Sequence, residues 1–196
     1  PMEGVSASLL AAVKKDYNTN KDLLMDWGFS LEARANIGKR SNFLLIEGFA
    51  KVRMSIFQLK AGRAKDVSGL VDSTLSSGAF ALSGNALGIP KIELSIPTYW
   101  NIPFTGNILA IKGSFSHGWF GKTKLNYTEH ATEVSSYYHQ KTFYGRIGKP
   151  EWRWKLYAGF NHQVMWGNEK QINGSEAFPL SDFETYWYVI SGKAYG

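Results

Sequence analysis

Flat rings and hydrogen-bond donors recur in this sequence where its regular patterns pause. Trp119, Trp166, Tyr186 and Trp187, with Phe120 and Tyr188 beside them, have ring faces that suit the apolar side of a pyranose, while His117, Arg63 and Lys65 have donors for its hydroxyl or acid groups. Packing among loops is the competing use of the same rings. A second constellation, Glu32 with Glu47, has the composition of a glycosidase pair. A general acid needs a raised pKa, however, and a basic neighbour such as Arg34 holds both carboxylates ionised, so the pair reads as non-catalytic and the chain as no enzyme. His117, His130, His139 and His162 lack the helical spacing and the adjacent acids of a zinc site, and cysteine is absent, so no metal site and no thiolate chemistry is expected. Neither a glycine-rich phosphate loop nor a nucleophile elbow is present, and no cofactor is expected.

The elements that must position these groups are strands. The run from Asp26 to Gly38, D-W-G-F-S-L-E-A-R-A-N-I-G, places Asp26, Gly28, Ser30, Glu32, Arg34 and Asn36 on one parity and Trp27, Phe29, Leu31, Ala33, Ala35 and Ile37 on the other. Successive side chains of a β-strand point to opposite sides, so this alternation predicts a strand with one apolar face. A soluble sandwich buries that face against a second sheet, whereas a membrane barrel turns it to lipid and keeps the polar face in its lumen. Length favours the barrel, because soluble strands usually run about five or six residues and a tilted membrane strand needs about ten.

Further strands are expected from Phe43 to about Arg53, with Leu44, Ile46, Gly48, Ala50 and Val52 on the apolar side, near Phe57 to Gly62, and over K-I-E-L-S-I from Lys91 to Ile96. Others follow around Leu109, Ile111 and Phe115, along Tyr138, Gln140, Thr142, Tyr144 and Arg146, and from Trp152 and Trp154 through Leu156, Ala158 and Phe160 to Val164. His139 and Lys141 fall on the nominally apolar side, and His162 points outward near a rim. The expected fold class is therefore all-β, an antiparallel outer-membrane β-barrel.

Loop lengths fit that class, since the long connections 64–90, 117–136 and 166–182 fall on one side and the short turns 54–56 and 148–151 on the other. The parity requires 64–90 to be a single long loop folded into the barrel mouth, and it makes 97–106, with its P-T-Y-W-N-I-P from Pro97 to Pro103, a longish turn on the short-loop side. Residues 1–22 stay open between a short helix and an apolar strand. In 181–191, Ser181 with Glu184 forms a capping box and Gly192 can supply a left-handed end, so a short helix in an outer loop is expected, although the β-formers from Tyr186 to Ile190 favour a strand. Seven strands are an odd number and single-chain barrels close with an even one, so 1–196 is expected to be a single partial domain, a fragment of a larger barrel. A Pro before the first Met, with no basic region and apolar core after it, points to a missing natural start.

Among 196 residues, 22 Lys and Arg stand against 16 Asp and Glu, for a net charge of +6. That excess suits an anionic partner such as acidic polysaccharide or lipid headgroups; the basic residues are interspersed with acids, so nucleic acid is not expected. Aromatics at 15% fit a membrane interface or sugar stacking. Trp27, Trp152 and Trp154 sit near strand ends, where an aromatic girdle belongs. Strand parity sends Arg34, Lys51, Arg53, Lys60, Lys112, Arg146, Arg153 and Lys155 to the lumen together with Glu32, Glu47 and Glu93. They read either as a solvated charge network or as guanidinium and ammonium contacts to an acidic polymer.

Four motifs carry a likeness to a known family: L-S-S-G from Leu75 with S-G-N-A-L-G-I-P-K-I from Ser83, H-G-W-F from His117, Y-H-Q-K-T-F-Y-G-R-I-G-K-P from Tyr138 to Pro150, and K-L-Y-A-G-F-N-H-Q-V-M-W-G from Lys155 to Gly167. Together they resemble the capsule assembly Wzi family, in its Bacteroidetes-type branch, over most of 20–193. The resemblance implies a bacterial outer-membrane barrel with a lectin-like role, holding capsular or extracellular polysaccharide at the cell surface rather than making it. It also implies a chain about twice this length. The alternatives are a passive outer-membrane porin, a glycan-active envelope enzyme and a soluble carbohydrate-binding sandwich.

Overall fold

The computed structural model describes residues 6–20, 23–38, 41–67, 71, 74–79, 82–124, 133–167 and 183–193. Eight strands follow one another, β1 (Ala7–Lys15), β2 (Met25–Ile37), β3 (Asn42–Met54), β4 (Phe57–Arg63), β5 (Lys91–Asn101), β6 (Leu109–Lys124), β7 (Glu133–Ile147) and β8 (Leu156–Gly167), and then a helix, α1 (Phe183–Ser191). They pair in chain order, β1 to β8, in one antiparallel sheet, with no β1–β8 pairing among the described residues. The chain divides into two units, Pro1–Leu94 and Ser95–Gly196.

Burial in this sheet is inverted relative to a water-soluble core. Leu9, Val13, Trp27, Leu31, Ile37, Phe43 and Leu59 are exposed, Leu31 by 51% and Phe43 by 72%, while Asp26, Ser30, Gln58, His139, Gln140 and Arg146 are buried. Among the described residues the buried hydrophobic side chains are only Ala64, Ala110, Tyr138, Tyr144 and Val189. No second layer of described residues covers the apolar row of the first unit. The alternation therefore produces two faces, and in β2, β4 and β7 it is polar residues such as Asp26, Ser30, Gln58, Gln140 and Arg146 that are shielded, while β1 is exposed on both sides.

Several boundaries differ from the sequence expectation, each for a local reason. The open segment 1–22 contains β1, whose Leu9, Ala11 and Val13 stand opposite Ala35, Ala33 and Leu31 on the apolar face, and it raises the strand number from seven to eight. In β3 the register slips between Glu32 and Ala33, so Ile46 is an extra residue and the parity before it flips. Phe43 and Leu45, not Leu44 and Ile46, are consequently the exposed apolar side chains there. β5 does not stop at Ile96 but runs through Pro97 to Asn101, and the expected turn 97–106 shrinks to 102–108. That turn is closed by Ile102 N–H donating to the Leu109 carbonyl at 2.9 Å, with Phe104, Gly106 and Asn107 at positive φ.

β6 and β7 extend to Lys124 and from Glu133, which places His117 and Trp119 in a strand and not in the expected loop 117–136; Trp166 likewise lies in β8. β8 opens at Leu156 because the turn from Gly148 continues, with Trp152 N–H donating to the Lys149 carbonyl at 3.0 Å. Trp152, Arg153 and Trp154 are exposed in that turn, so Arg153 does not join a strand face. Within 64–90 the described residues hold one isolated bridge, Gly78 with Ser83, and no ladder strand; Phe80 and Ala81 lie outside the described residues. Of the expected helix 181–191, the described part is helical, and Gly192, at φ +73°, ends it by donating its N–H to the Tyr188 carbonyl at 2.9 Å. Ser181 of the capping box lies outside the described residues.

Candidate functional site

In the first unit most of the described charged side chains of the polar face have a partner. Glu32 and Glu47 stand directly opposite each other across β2 and β3. The Lys65 ammonium lies 3.6 Å from Glu32, and Glu47 accepts the Lys65 backbone N–H at 2.8 Å and the Ser30 hydroxyl at 3.3 Å. Arg63 donates to the Leu45 carbonyl at 3.2 Å. Arg63 and Lys65, candidates for sugar contacts, are thus placed with the charge network, and Arg34 is exposed at its edge. Asp26 accepts the Asn18 N–H at 2.6 Å and the Trp27 N–H at 2.8 Å, with the Arg53 guanidinium 3.7 Å away.

Two clusters in this unit involve loop residues that the strand pattern does not reveal. Lys91 lies 2.7 Å from Glu93 and 3.1 Å from Asp66, and Lys60 binds Asp66 and lies 3.6 Å from Glu93, so two ammonium groups and two carboxylates alternate. Burial pushes the Asp66 carboxyl upward, but the Lys91 and Lys60 charges outweigh it and hold the pKa below the ordinary carboxylate value. At the β1–β2 turn, Asp16 meets Lys14 at 3.0 Å and Lys51 at 3.5 Å, and the hydrogen bond from Lys14 lowers its pKa. Tyr17 donates to Gln58 Oε1 at 2.9 Å beneath the Lys51 and Arg53 cations, and burial raises the pKa of its phenol.

The polar face of the second unit is organised otherwise. Lys112 and Tyr144 are cross-strand partners, as are Arg146 and Tyr157. The Lys112 ammonium lies 5.4 Å from the ring centroids of both Tyr99 and Tyr144, and the Arg146 guanidinium lies 5.9 Å from that of Tyr99 while donating to Asn101 Oδ1 at 2.6 Å. Tyr99 and Tyr157 pack with centroids 5.4 Å apart. Lys155, half-buried, precedes β8.

Three of the candidate sugar-platform residues come together on the opposite face of this unit. Tyr186 on α1 shares a hydrogen bond of 2.6 Å with His117 Nε2, and Trp166 packs edge-on to His117 at 6.1 Å. His139, fully buried, lies 4.6 Å from His117 and donates from Nδ1 to the Ser116 carbonyl at 3.1 Å, while Tyr137 packs on Trp166 at 5.4 Å. Lys141 donates to the Ile190 carbonyl in the last turn of α1. That turn has no basic residue of its own, and its unmet carbonyls attract a cation. Two of the side chains that break the apolar alternation, His117 and Lys141, bond the helix, and His139 packs beneath His117. Trp119 and Trp187 remain 44% and 56% exposed, the open rings of the group. The signal was in the sequence as polar residues on an apolar parity at aligned positions of adjacent strands, His117 with His139 and Lys141 with His162.

Compared with known proteins, the chain matches no family model, no curated protein and no solved structure. Among the described residues no helix is long and apolar enough to cross a membrane, and no group of three potential ligands is placed to hold a metal ion.

Proposed function

We propose that this chain is a section of a bacterial outer-membrane β-barrel whose outer end holds capsular or extracellular polysaccharide without cleaving it, as the resemblance to the Wzi family implies. The observation that carries the reading is the exposed apolar row of β1 to β4, opposite which Asp26, Ser30 and Gln58 of β2 and β4 are buried and Lys51, Arg53 and Lys60 are ion-paired. From Trp27 to Ile37 the row rises about 33 Å at about 3.3 Å per residue, and a tilt of about 40° projects it onto about 25 Å, the height of the lipid-facing band of such barrels. Water leaves a face of this size uncovered at a high cost, and hydrocarbon does not.

The glycan half of the reading rests on the second unit. β6 and β7, at 16 and 15 residues, exceed the length needed to cross, and their surplus carries Trp119, His117 and Tyr137 beyond the apolar positions Leu109, Phe115, Phe143 and Ile147. Exposed indole rings there suit pyranose faces, and a repeating polymer multiplies weak single contacts. For Glu32 and Glu47, engagement by Lys65 and Ser30 supports a structural use over acid–base work.

The test is binding of the host strain's own surface polymer by the refolded protein in detergent. The full chain binds it without releasing reducing ends, and the double substitution Trp119→Ala and Trp187→Ala weakens the binding several-fold while leaving the fold intact. Ion conductance in planar bilayers with no polymer retention would instead make the chain a porin.

A further inference from the structure

We propose that the patch formed by Lys112, Arg146, Tyr99 and Tyr144 on the polar face of the second unit binds the carboxylate of an acidic sugar; this rests on the polysaccharide reading and names the chemistry of one of its subsites. The charge pattern points there. In the first unit Lys51, Arg53, Lys60, Lys65 and Lys91 each have a carboxylate within 4 Å. In the second unit the carboxylates whose side chains are described are Glu151, in a turn, and Glu184, on the helix, so among the described residues no acid accompanies Lys112 and Arg146. The two cations instead share one tyrosine ring, that of Tyr99. A ring face attracts a cation far less than a carboxylate does once water is excluded, so this patch has unspent affinity for an anion.

The donors that an anion would use are in place. Arg146 is 9% exposed; its Nη2 is committed to Asn101, but its Nε is buried without a partner. Tyr144, 5% exposed, has an unpartnered hydroxyl, as does Tyr99. A buried donor left unsatisfied is unfavourable, and three on residues gathered around Lys112 and the Tyr99 ring mark a place where a ligand completes the bonding. A planar carboxylate takes one hydrogen bond from Arg146 Nε and one from the half-exposed Lys112 ammonium, and the attached pyranose can lie against Tyr99 and Tyr157. The flat rings favour a sugar acid over a free phosphate.

Binding of galacturonate oligomers, neutral galactose oligomers and inorganic phosphate to the full chain in detergent tests this. The acidic oligomer should bind at least about tenfold tighter than the neutral one, and more weakly as salt rises. Lys112→Gln, at a half-exposed position, should cost about tenfold, Arg146→Gln at least as much, and Lys51→Gln on the first unit nothing. Because Arg146 is buried, its variant counts only if its strands still form; Lys112→Gln carries the decision. Equal affinity for both oligomers, indifference to Lys112→Gln, or binding of phosphate alone would overturn the proposal. Retention of a neutral host polymer by a protein that ignores galacturonate would end this assignment and leave the polysaccharide reading standing. Lys112-dependent galacturonate binding without retention of the host polymer would do the reverse.

Discussion

The two units solve the same sheet in different ways. In the first, the apolar face is an exposed row, and most of the described charges on the opposite face lie in mutual pairs. In the second, the apolar row is interrupted by His117, His139, Lys141 and His162, over which α1 lies, and the opposite face has cations with tyrosines as neighbours. A sheet that only had to span a membrane would repeat the first arrangement throughout. The departures in the second unit are therefore where binding chemistry is expected, and the first unit serves as its internal control.

The largest expected effect is on the apolar row. Leu31, midway between Trp27 and Ile37, is 51% exposed, so in a water-soluble protein Leu31→Arg would be close to neutral. At the middle of a bilayer the same change costs about 2–4 kcal/mol. Urea titration of the variant folded into lipid vesicles should show a loss of that size, and an unchanged midpoint would remove the contrast between lipid-facing and polar faces.

Next in size is the alternating cluster of Lys60, Asp66, Lys91 and Glu93. Asp66→Asn leaves Lys60 and Lys91 sharing Glu93 alone, and an unbalanced, partly buried charge costs about 1–3 kcal/mol. Because the Asp66 pKa is lowered by folding, its contribution is complete above the ordinary carboxylate pKa and is lost as pH falls through the depressed value, below about pH 4. Denaturation midpoints measured down through that range should fall more steeply for the native chain than for Asp66→Asn. Parallel curves would mean that the cluster adds nothing.

The smallest effect belongs to the second unit. Lys141→Met removes the cation at the C-terminal end of α1 and should loosen the helix by about 1 kcal/mol. The readout is faster proteolytic release of 183–193 and greater quenching of Trp166, with the strands undisturbed. If helix protection is unchanged, the polar break in the apolar row has a purpose other than seating α1.

Much of the fold was legible because alternation is local. Asp26 to Ile37 assigns its own faces, and β4, β6 and β7 follow the same rule. Alternation alone fails where one residue or one long-range pairing decides the outcome. Ile46 is an ordinary strand residue until β2 is laid beside it, and only then does it become the bulge that exchanges Leu44 for Leu45. The exit of β6 at Lys124 depends on pairing with β7, and the run from His117 to Phe120 alone resembles a loop. The site was legible in types rather than in partners. His117, Trp166 and Tyr186 come together in the structure, but no local pattern joins Tyr186 to His117 across 69 residues, or Asp66 to Lys91.

The most direct measurement uses the absence of cysteine. Single substitutions Leu31→Cys and Glu32→Cys, labelled with an environment-sensitive fluorophore in protein reconstituted into vesicles, place neighbouring positions on the two faces. A lipid-soluble quencher should reach the probe at 31 and not at 32, and the pattern should repeat at 33 and 34. Equal access of an aqueous quencher to both positions, or loss of the difference on folding without lipid, would contradict the assignment of the apolar face to hydrocarbon.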